Sequence, residues 1–175
     1  MDEQQNQTPE EEEDDLTLVK EEIIVPQVYL DANTTLYGTI NALEKGYCSL
    51  LFTPNSSMKV DNLGLIHSGY LVSSAMYAAM LAVNEATAIP LASHCDFFAP
   101  FELGNTIEFR AQMLQNDTKK REVQVDGFVL DIKVFQALFE VAIFEHHVFK
   151  LQITGPKKFD DENRVQCSRC ALQCA

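Results

Sequence analysis

The sequence predicts an α+β domain in which an antiparallel sheet wraps around one long central helix. Residues 70–84 contain no charged residue, so a helix over this stretch cannot lie on the surface of a soluble protein. The segments on either side alternate apolar and polar residues, as half-exposed strands do. These strands are the only material available to enclose the helix. A length of 175 residues suits one such domain with tails.

The acidic charge is concentrated at the N-terminus. The chain has 13 Lys and Arg against 26 Asp and Glu, a formal net charge of −13, and ten of the acids lie within residues 1–22. Like-charge runs of this kind form solvated tails. We therefore predict a disordered acidic tail over 1–22, one domain over 23–155 and a polar tail over 156–175. The overall charge argues against nucleic acid and anionic membranes as partners.

The first predicted strands lie before the helix. Residues 16–30 could pair with a sheet edge, where Pro26 restricts them to an edge position. Residues 39–43 and 47–52 flank Glu44-Lys45-Gly46, which is a plausible hairpin turn. A loop at 54–57 and an extended segment over 58–67 then lead to the helix.

The central helix is predicted over residues 68–85. Ser68 can act near its N-terminal cap, and no proline interrupts the segment before Pro90. Its alanines let neighbouring backbone approach closely, while its larger apolar residues fill the curl of the sheet.

Four strand-like segments follow the helix, in addition to the segment around His94 and Cys95. The clearest alternation covers 105–114, and further segments cover 121–130, 133–144 and about 147–153. The residues that we expect on the buried face are Ile107, Phe109, Ala111, Met113, Val123, Val125, Phe135, Ala137, Phe139, Val141 and Ile143.

Three features taken in order resemble the hotdog-fold acyl-CoA thioesterase superfamily over about residues 36–153. They are Gly64-Leu65-Ile66-His67-Ser68-Gly69, similar to that family's G-x-x-H-G-G turn, then the charge-free helix, then the junction Phe97–Asn105. The segment 133–141 is also similar to the last strands of acyl-CoA-sensing members that bind malonyl-CoA. Within the superfamily, the chain resembles flagella-coregulated virulence proteins of bacteria.

The resemblance implies a homodimer with joined sheets, packed helices and acyl chains held at the protomer interface. It implies an acyl-CoA or related acyl thioester as the ligand, a place in fatty acid metabolism, and no other cofactor. A dimer would also cover an apolar sheet edge that would otherwise invite aggregation.

Thioester hydrolysis needs a donor for the carbonyl oxygen and a carboxylate that directs or activates water. In the family, the donor is a backbone N–H at the positive end of the helix. The matching amides here belong to Ser68 and Gly69, with His67 shaping the turn.

Other candidate ligand-binding positions lie in the turn and the helix. Gly64 belongs to the same turn, and the side chains of Ser73 and Tyr77 could form hydrogen bonds with a ligand, although they would not readily activate water.

The carboxylate has no clear counterpart. Related thioesterases carry Asp or Glu nine residues after the histidine, where this sequence has Met76. Asp61, three residues before Gly64, could substitute as the catalytic acid. The favoured interpretation is therefore acyl thioester binding without efficient hydrolysis. A noncanonical thioesterase using Asp61, a dehydratase and a protein-interaction module with a closed pocket are the alternatives.

The cysteine and histidine patterns do not predict a metal site. Cys167, Cys170 and Cys174 supply three thiolates, whereas structural zinc requires four ligands. His146 and His147 would point to opposite faces of a strand. With Cys48 and Cys95 read as small core residues, no signal peptide pattern and no membrane-spanning run, we expect a reduced, cytoplasmic protein.

Overall fold

The computed structural model describes residues 24–116 and 119–150. The predicted tails over 1–22 and 156–175, with Cys167, Cys170 and Cys174, lie outside the described residues. The elements in chain order are α1 (Thr34–Tyr37), β1 (Thr39–Glu44), β2 (Tyr47–Phe52), a 3₁₀ turn (Ser56–Met58), α2 (Ser68–Val83), β3 (Ala88–Phe97), β4 (Ile107–Asn116), β5 (Lys120–Val129), β6 (Ile132–Ile143) and a second 3₁₀ turn (Val148–Lys150).

The strands form one antiparallel six-stranded sheet in the order β1-β2-β4-β5-β6-β3. The predicted hairpin is present, since β1 and β2 join through Lys45 and Gly46. The edges of the sheet are β1 and β3. No helix within the described residues is long and apolar enough to cross a membrane.

The helix α2 lies against the inner face of the sheet, as predicted. Its buried residues are Leu71, Ser74, Ala75, Tyr77, Ala78, Ala79, Met80, Leu81, Ala82 and Val83. The alternation of β4 is confirmed as well, because Ile107, Phe109 and Ala111 are fully buried while Arg110 is not. The α+β prediction of one sheet curled around a central helix is therefore confirmed.

The end of α2 differs from the prediction. The helix ends at Val83 because Asn84 adopts the left-handed conformation, with φ 51° and ψ 42°, and its N–H donates to the carbonyl of Met80. Asparagine tolerates this conformation better than most residues.

The edge strand predicted over 16–30 is wrong for its described part, since residues 24–30 contain no strand. This segment lies instead at the C-terminal end of α2, and we call residues 24–33 the strap. The Asn84 side chain donates to the carbonyl of Val25 at 2.9 Å and accepts from the N–H of Gln27 at 2.7 Å. One side chain thus takes the hydrogen bonds that a neighbouring strand would have offered.

The strand predicted over 147–153 is also wrong over its described residues, which form the second 3₁₀ turn. Both sides of β6 are already paired, with β5 and with β3. A further strand would need a free edge elsewhere, and the side chain of Phe149 instead remains 92% exposed.

Candidate functional site

The turn before α2 is held between two other segments of the chain. The N–H of His67 donates to the carbonyl of Met58 at 3.1 Å, and the N–H of Ile66 donates to the carbonyl of Phe101 at 2.9 Å. Gly64 has φ +98°, a conformation that favours glycine, and its carbonyl accepts from Leu103. The turn therefore has a fixed position relative to the sheet.

Asp61 shapes the loop that leads into this turn. Its Oδ1 accepts three backbone hydrogen bonds, each 2.9 Å long, from the N–H groups of Leu63, Gly64 and Leu65. A carboxylate that receives several backbone N–H groups is a strong local organiser of the chain. This contact gives Asp61 a structural role that the sequence did not suggest.

His67 is the N-terminal cap of α2, where the sequence suggested Ser68. Its backbone is extended, with φ −63° and ψ 123°, and its Nδ1 accepts from the N–H of Gly69 at 3.0 Å. The contact turns Nδ1 of the ring toward the backbone of the first helical turn. A Cβ at Gly69 would lie 2.9 Å from His67 Nδ1, so any larger residue there would force the capping ring to move.

The two amides expected to bind a carbonyl thus differ in availability. The N–H of Gly69 already donates to the cap, whereas no described residue accepts from the N–H of Ser68. That amide lies in the first turn of a sixteen-residue helix, where the partial positive charge of the helix dipole is concentrated.

A groove of about 460 Å³, which we call the turn groove, opens beside Ser68. Its lining is mainly apolar and aromatic, and no carboxylate belongs to it. The lining residues are Val60, Leu65, Ile66, His67, Ser68, Leu71, Phe97, Phe98, Ala99, Pro100 and Phe101.

A second groove of about 440 Å³, the Lys59 groove, lies on the other side of His67. Lys59 contributes the formal charge of its lining, and again no carboxylate belongs to it. Its lining residues are Ser57, Met58, Lys59, Val60, His67, Gly69, Tyr70 and Ser73. Since His67 and Val60 line both grooves, the capped turn separates two adjacent cavities.

A third groove of about 540 Å³, the tyrosine groove, lies between the strap, α1 and α2. Tyr77 lies at its centre, with ring centroids 6.1 Å from Tyr29 and 5.7 Å from Tyr37. Burial raises the pKa of both Tyr29 and Tyr77 above the ordinary tyrosine value. The remaining lining residues are Leu30, Asp31, Ala32, Asn33, Leu36, Ser73 and Met76.

The predicted site residues are therefore divided among these features. His67, Ser68 and Gly69 meet at the turn, whereas Tyr77 lines the tyrosine groove and Ser73 lines both that groove and the Lys59 groove. Asp61 and Gly64 fix the shape of the loop before the turn through backbone hydrogen bonds. Among the described residues, no group of three or more His, Cys, Asp or Glu side chains could hold a metal ion.

Sequence reasoning missed Tyr29, Tyr37 and Lys59. Tyr29 and Tyr37 are 48 and 40 residues from Tyr77, and no periodic pattern connects them. The only signal in the sequence is that two tyrosines follow the strap proline, Pro26, within a short segment.

Comparisons with known proteins identify the family. No family model matches the chain. The crystal structure of Cj0977, a sigma28-regulated virulence protein from Campylobacter jejuni, is 34% identical with a TM-score of 0.69, over 71% of this chain and 89% of that one. The uncharacterized protein PH1136 from Pyrococcus horikoshii is 28% identical with a TM-score of 0.71, over 72% and 97% of the two chains.

A hypothetical thioesterase from Streptococcus pneumoniae TIGR4, crystallised with coenzyme A, is 16% identical with a TM-score of 0.60, over 67% of this chain and 94% of that one. At this identity the likeness concerns the fold alone. The chain belongs to the hotdog-fold thioesterase superfamily. The family predicted from the His67 turn and the charge-free helix is confirmed.

One curated relative is much longer than this chain. Methylthioribose-1-phosphate isomerase of Aquifex aeolicus is 34% identical over 113 residues, which are 65% of this chain and 25% of that protein. This chain thus spans about a quarter of that relative's length.

Proposed function

We propose that this protein binds an acyl-CoA or a related acyl thioester and does not hydrolyse it efficiently. One observation carries the proposal. Among the described residues, nothing accepts from the N–H of Ser68 at the positive end of α2, and no carboxylate lines the groove beside it. A thioester carbonyl accepts hydrogen bonds, and an amide at a helix N-terminus is a suitable donor.

The argument against efficient hydrolysis comes from the groups that are available to activate water. Neither groove beside His67 has a carboxylate in its lining. Met76, at the position where related thioesterases carry Asp or Glu, lines the tyrosine groove, and a thioether cannot accept a proton as a general base. Asp61 Oδ1 is occupied by three backbone N–H groups.

The charge distribution favours one placement of the CoA. Lys59, which is exposed, would attract the CoA phosphates to the surface beside the Lys59 groove, while the interiors of both grooves suit uncharged parts of the ligand. The coenzyme A in the S. pneumoniae protein supports this ligand class, because that protein shares the fold.

The proposal includes a homodimer formed through β3. This edge strand and the residues after it leave Leu91, Phe97 and Phe98 about half exposed, although Phe97 and Phe98 line the turn groove. A second copy pairing along β3 would cover these side chains and complete that groove. Light scattering of the native protein tests this directly.

The experiment that tests the ligand proposal removes the backbone N–H of residue 68. Ser68→Pro deletes the unpartnered amide at the first helical position, where proline is well tolerated. The preceding residue, His67, already has the extended backbone that a following proline requires. Calorimetry with decanoyl-CoA should show about five- to tenfold weaker binding, the equivalent of one hydrogen bond.

Two controls isolate the carbonyl contact. Ser68→Ala keeps the amide and should bind decanoyl-CoA as the native protein does. Free CoA has no acyl carbonyl, so its affinity should be the same for Ser68→Pro and the native protein. Equal loss of both ligands would refute the amide contact.

The protein should not accelerate hydrolysis of decanoyl-CoA, so the rate of thiol release should equal the rate measured without protein. Enzyme-like turnover that is lost in Asp61→Asn would instead establish the thioesterase alternative. The absence of both binding and turnover would favour the protein-interaction module with a closed pocket.

A further inference from the structure

The tyrosine groove carries features that an acyl-binding role of the turn does not use. Tyr77 projects from α2 between Tyr29 of the strap and Tyr37 of α1, and all three line the groove. The side of α2 that contributes to the groove is formed by Ser73, Met76 and Tyr77. The groove therefore combines an apolar body with several phenol groups.

The phenol hydroxyls are available to a ligand. None of the three donates to or accepts from another described residue. Ser74 Oγ is the only fully enclosed side-chain oxygen or nitrogen without a partner among the described residues. The hydroxyl of the largely buried Tyr77 is therefore accessible to solvent, and Tyr77 lines the groove. Buried tyrosines normally have a hydrogen-bond partner for this group.

The backbone of Tyr29 adopts the left-handed conformation, and its ring lies beside that of Tyr77. Its φ is +53°, a conformation that is unfavourable for residues other than glycine, asparagine and aspartate. A hydrogen bond from the N–H of Ala32 to the carbonyl of Tyr29, at 3.0 Å, closes the turn. Strain that is maintained by the surrounding contacts is characteristic of ligand-binding positions.

The charge of the groove limits what it can accept. Asp31 is the only charged side chain in its lining, so an anionic group would meet a like charge. Both Tyr29 and Tyr77 are neutral phenols near pH 7, because the ordinary tyrosine pKa already lies well above that pH and burial raises it further. The groove is therefore suited to a neutral group that forms hydrogen bonds.

The groove also lies at a defined distance from the unpartnered amide. Ser73 lines both the tyrosine groove and the Lys59 groove, so the two are adjacent. Tyr77 follows Ser68 by nine residues, which is about 14 Å along a helix. An extended ten-carbon chain spans about 11 Å, and a hydroxyl at its end with a hydrogen bond of about 3 Å covers the rest.

We propose that the tyrosine groove binds the far end of a medium-length acyl chain that carries a neutral hydrogen-bonding group, such as a hydroxyl, at that end. This inference rests on the proposed function, because the thioester is taken to start at Ser68. It identifies the class of acyl group, which the turn alone does not.

The test compares three probes on the full chain by calorimetry: decanoyl-CoA, 10-hydroxydecanoyl-CoA and the CoA monothioester of decanedioic acid. The hydroxylated probe should bind about fivefold more tightly than decanoyl-CoA, whereas the probe with a terminal carboxylate should gain nothing. The triple variant Tyr29→Phe/Tyr37→Phe/Tyr77→Phe removes the hydroxyls and keeps the rings. It should lose the preference and keep the affinity for decanoyl-CoA. Tyr47→Phe, on β2 and outside the groove, is the matched control and should keep the preference.

The outcomes separate the two proposals. If decanoyl-CoA and its hydroxylated analogue bind equally, or if the triple variant keeps the preference, this inference is overturned while thioester binding stands. If none of the three probes binds, the proposed function fails and the inference fails with it.

Discussion

The two ends of α2 each have a capping residue, yet the two caps leave different groups available. At the N-terminal end, His67 Nδ1 accepts from Gly69 and the N–H of Ser68 has no described partner. At the C-terminal end, the N–H of Asn84 bonds to Met80 and its side chain bonds to both Val25 and Gln27 of the strap.

The two ends of α2 also differ in how exposed their surroundings are to solvent. Near the N-terminal end, Leu63 is 93% exposed and Val60 and Phe98 are about half exposed. The C-terminal end is covered by the strap. The difference separates two uses of a helix terminus. An end bonded to another segment contributes to stability, whereas an amide without a described partner is available to a ligand.

The largest expected effect on stability is at the closed end. Asn84→Ala removes two hydrogen bonds to the strap and places alanine in the left-handed conformation. The free energy of unfolding should fall by about 2 kcal/mol, measured in urea. Asn84→Gly keeps the backbone conformation at little cost and should lose about half as much. Equal losses in both variants would mean that the left-handed backbone contributes nothing.

A smaller effect is expected in the loop before the open end. Asp61→Ala leaves the N–H groups of Leu63, Gly64 and Leu65 without their acceptor. We expect a loss of about 1 to 2 kcal/mol in unfolding free energy, since this loop is largely exposed to water.

The matched variant distinguishes structure from catalysis. Asp61→Asn keeps an oxygen acceptor and should cost under about 0.5 kcal/mol, with unchanged binding of decanoyl-CoA. A loss of function in Asp61→Asn, at native stability, would contradict the structural role and favour an acid in catalysis.

Much of this fold follows from local sequence patterns. The alternation in β4, β5 and β6 and the lack of charge in α2 predict a wrapped helix because burial imposes a period on each element. The strand expected over 147–153 fails because alternation does not reveal whether a sheet edge is free. The strap fails for a related reason, since its partner is the Asn84 side chain rather than a strand.

The site is less predictable than the fold. The glycines and His67 identify the turn, but the orientation of the His67 ring decides which amide stays available, and that orientation is a tertiary property. The tyrosine groove depends on contacts between residues at least 40 positions apart. No pattern within a window of one helix or strand carries that information.

The smallest expected effect on stability lies in the middle of α2, and there we expect the substitution to stabilise the protein. Ser74 is fully buried on the sheet-facing side of α2, and its Oγ has no described partner. Ser74→Ala removes this unpaired oxygen and replaces serine with the best helix former, so the unfolding free energy should rise by about 0.5 to 1 kcal/mol.

Ser73→Ala is the matched control. Ser73 is only half buried, so this substitution adds the same helix propensity but removes no buried, unpaired oxygen. The gain for Ser74→Ala should therefore exceed that for Ser73→Ala. A loss of stability in Ser74→Ala alone would mean that its hydroxyl is bonded in solution, and that the middle of α2 also contains a satisfied polar contact.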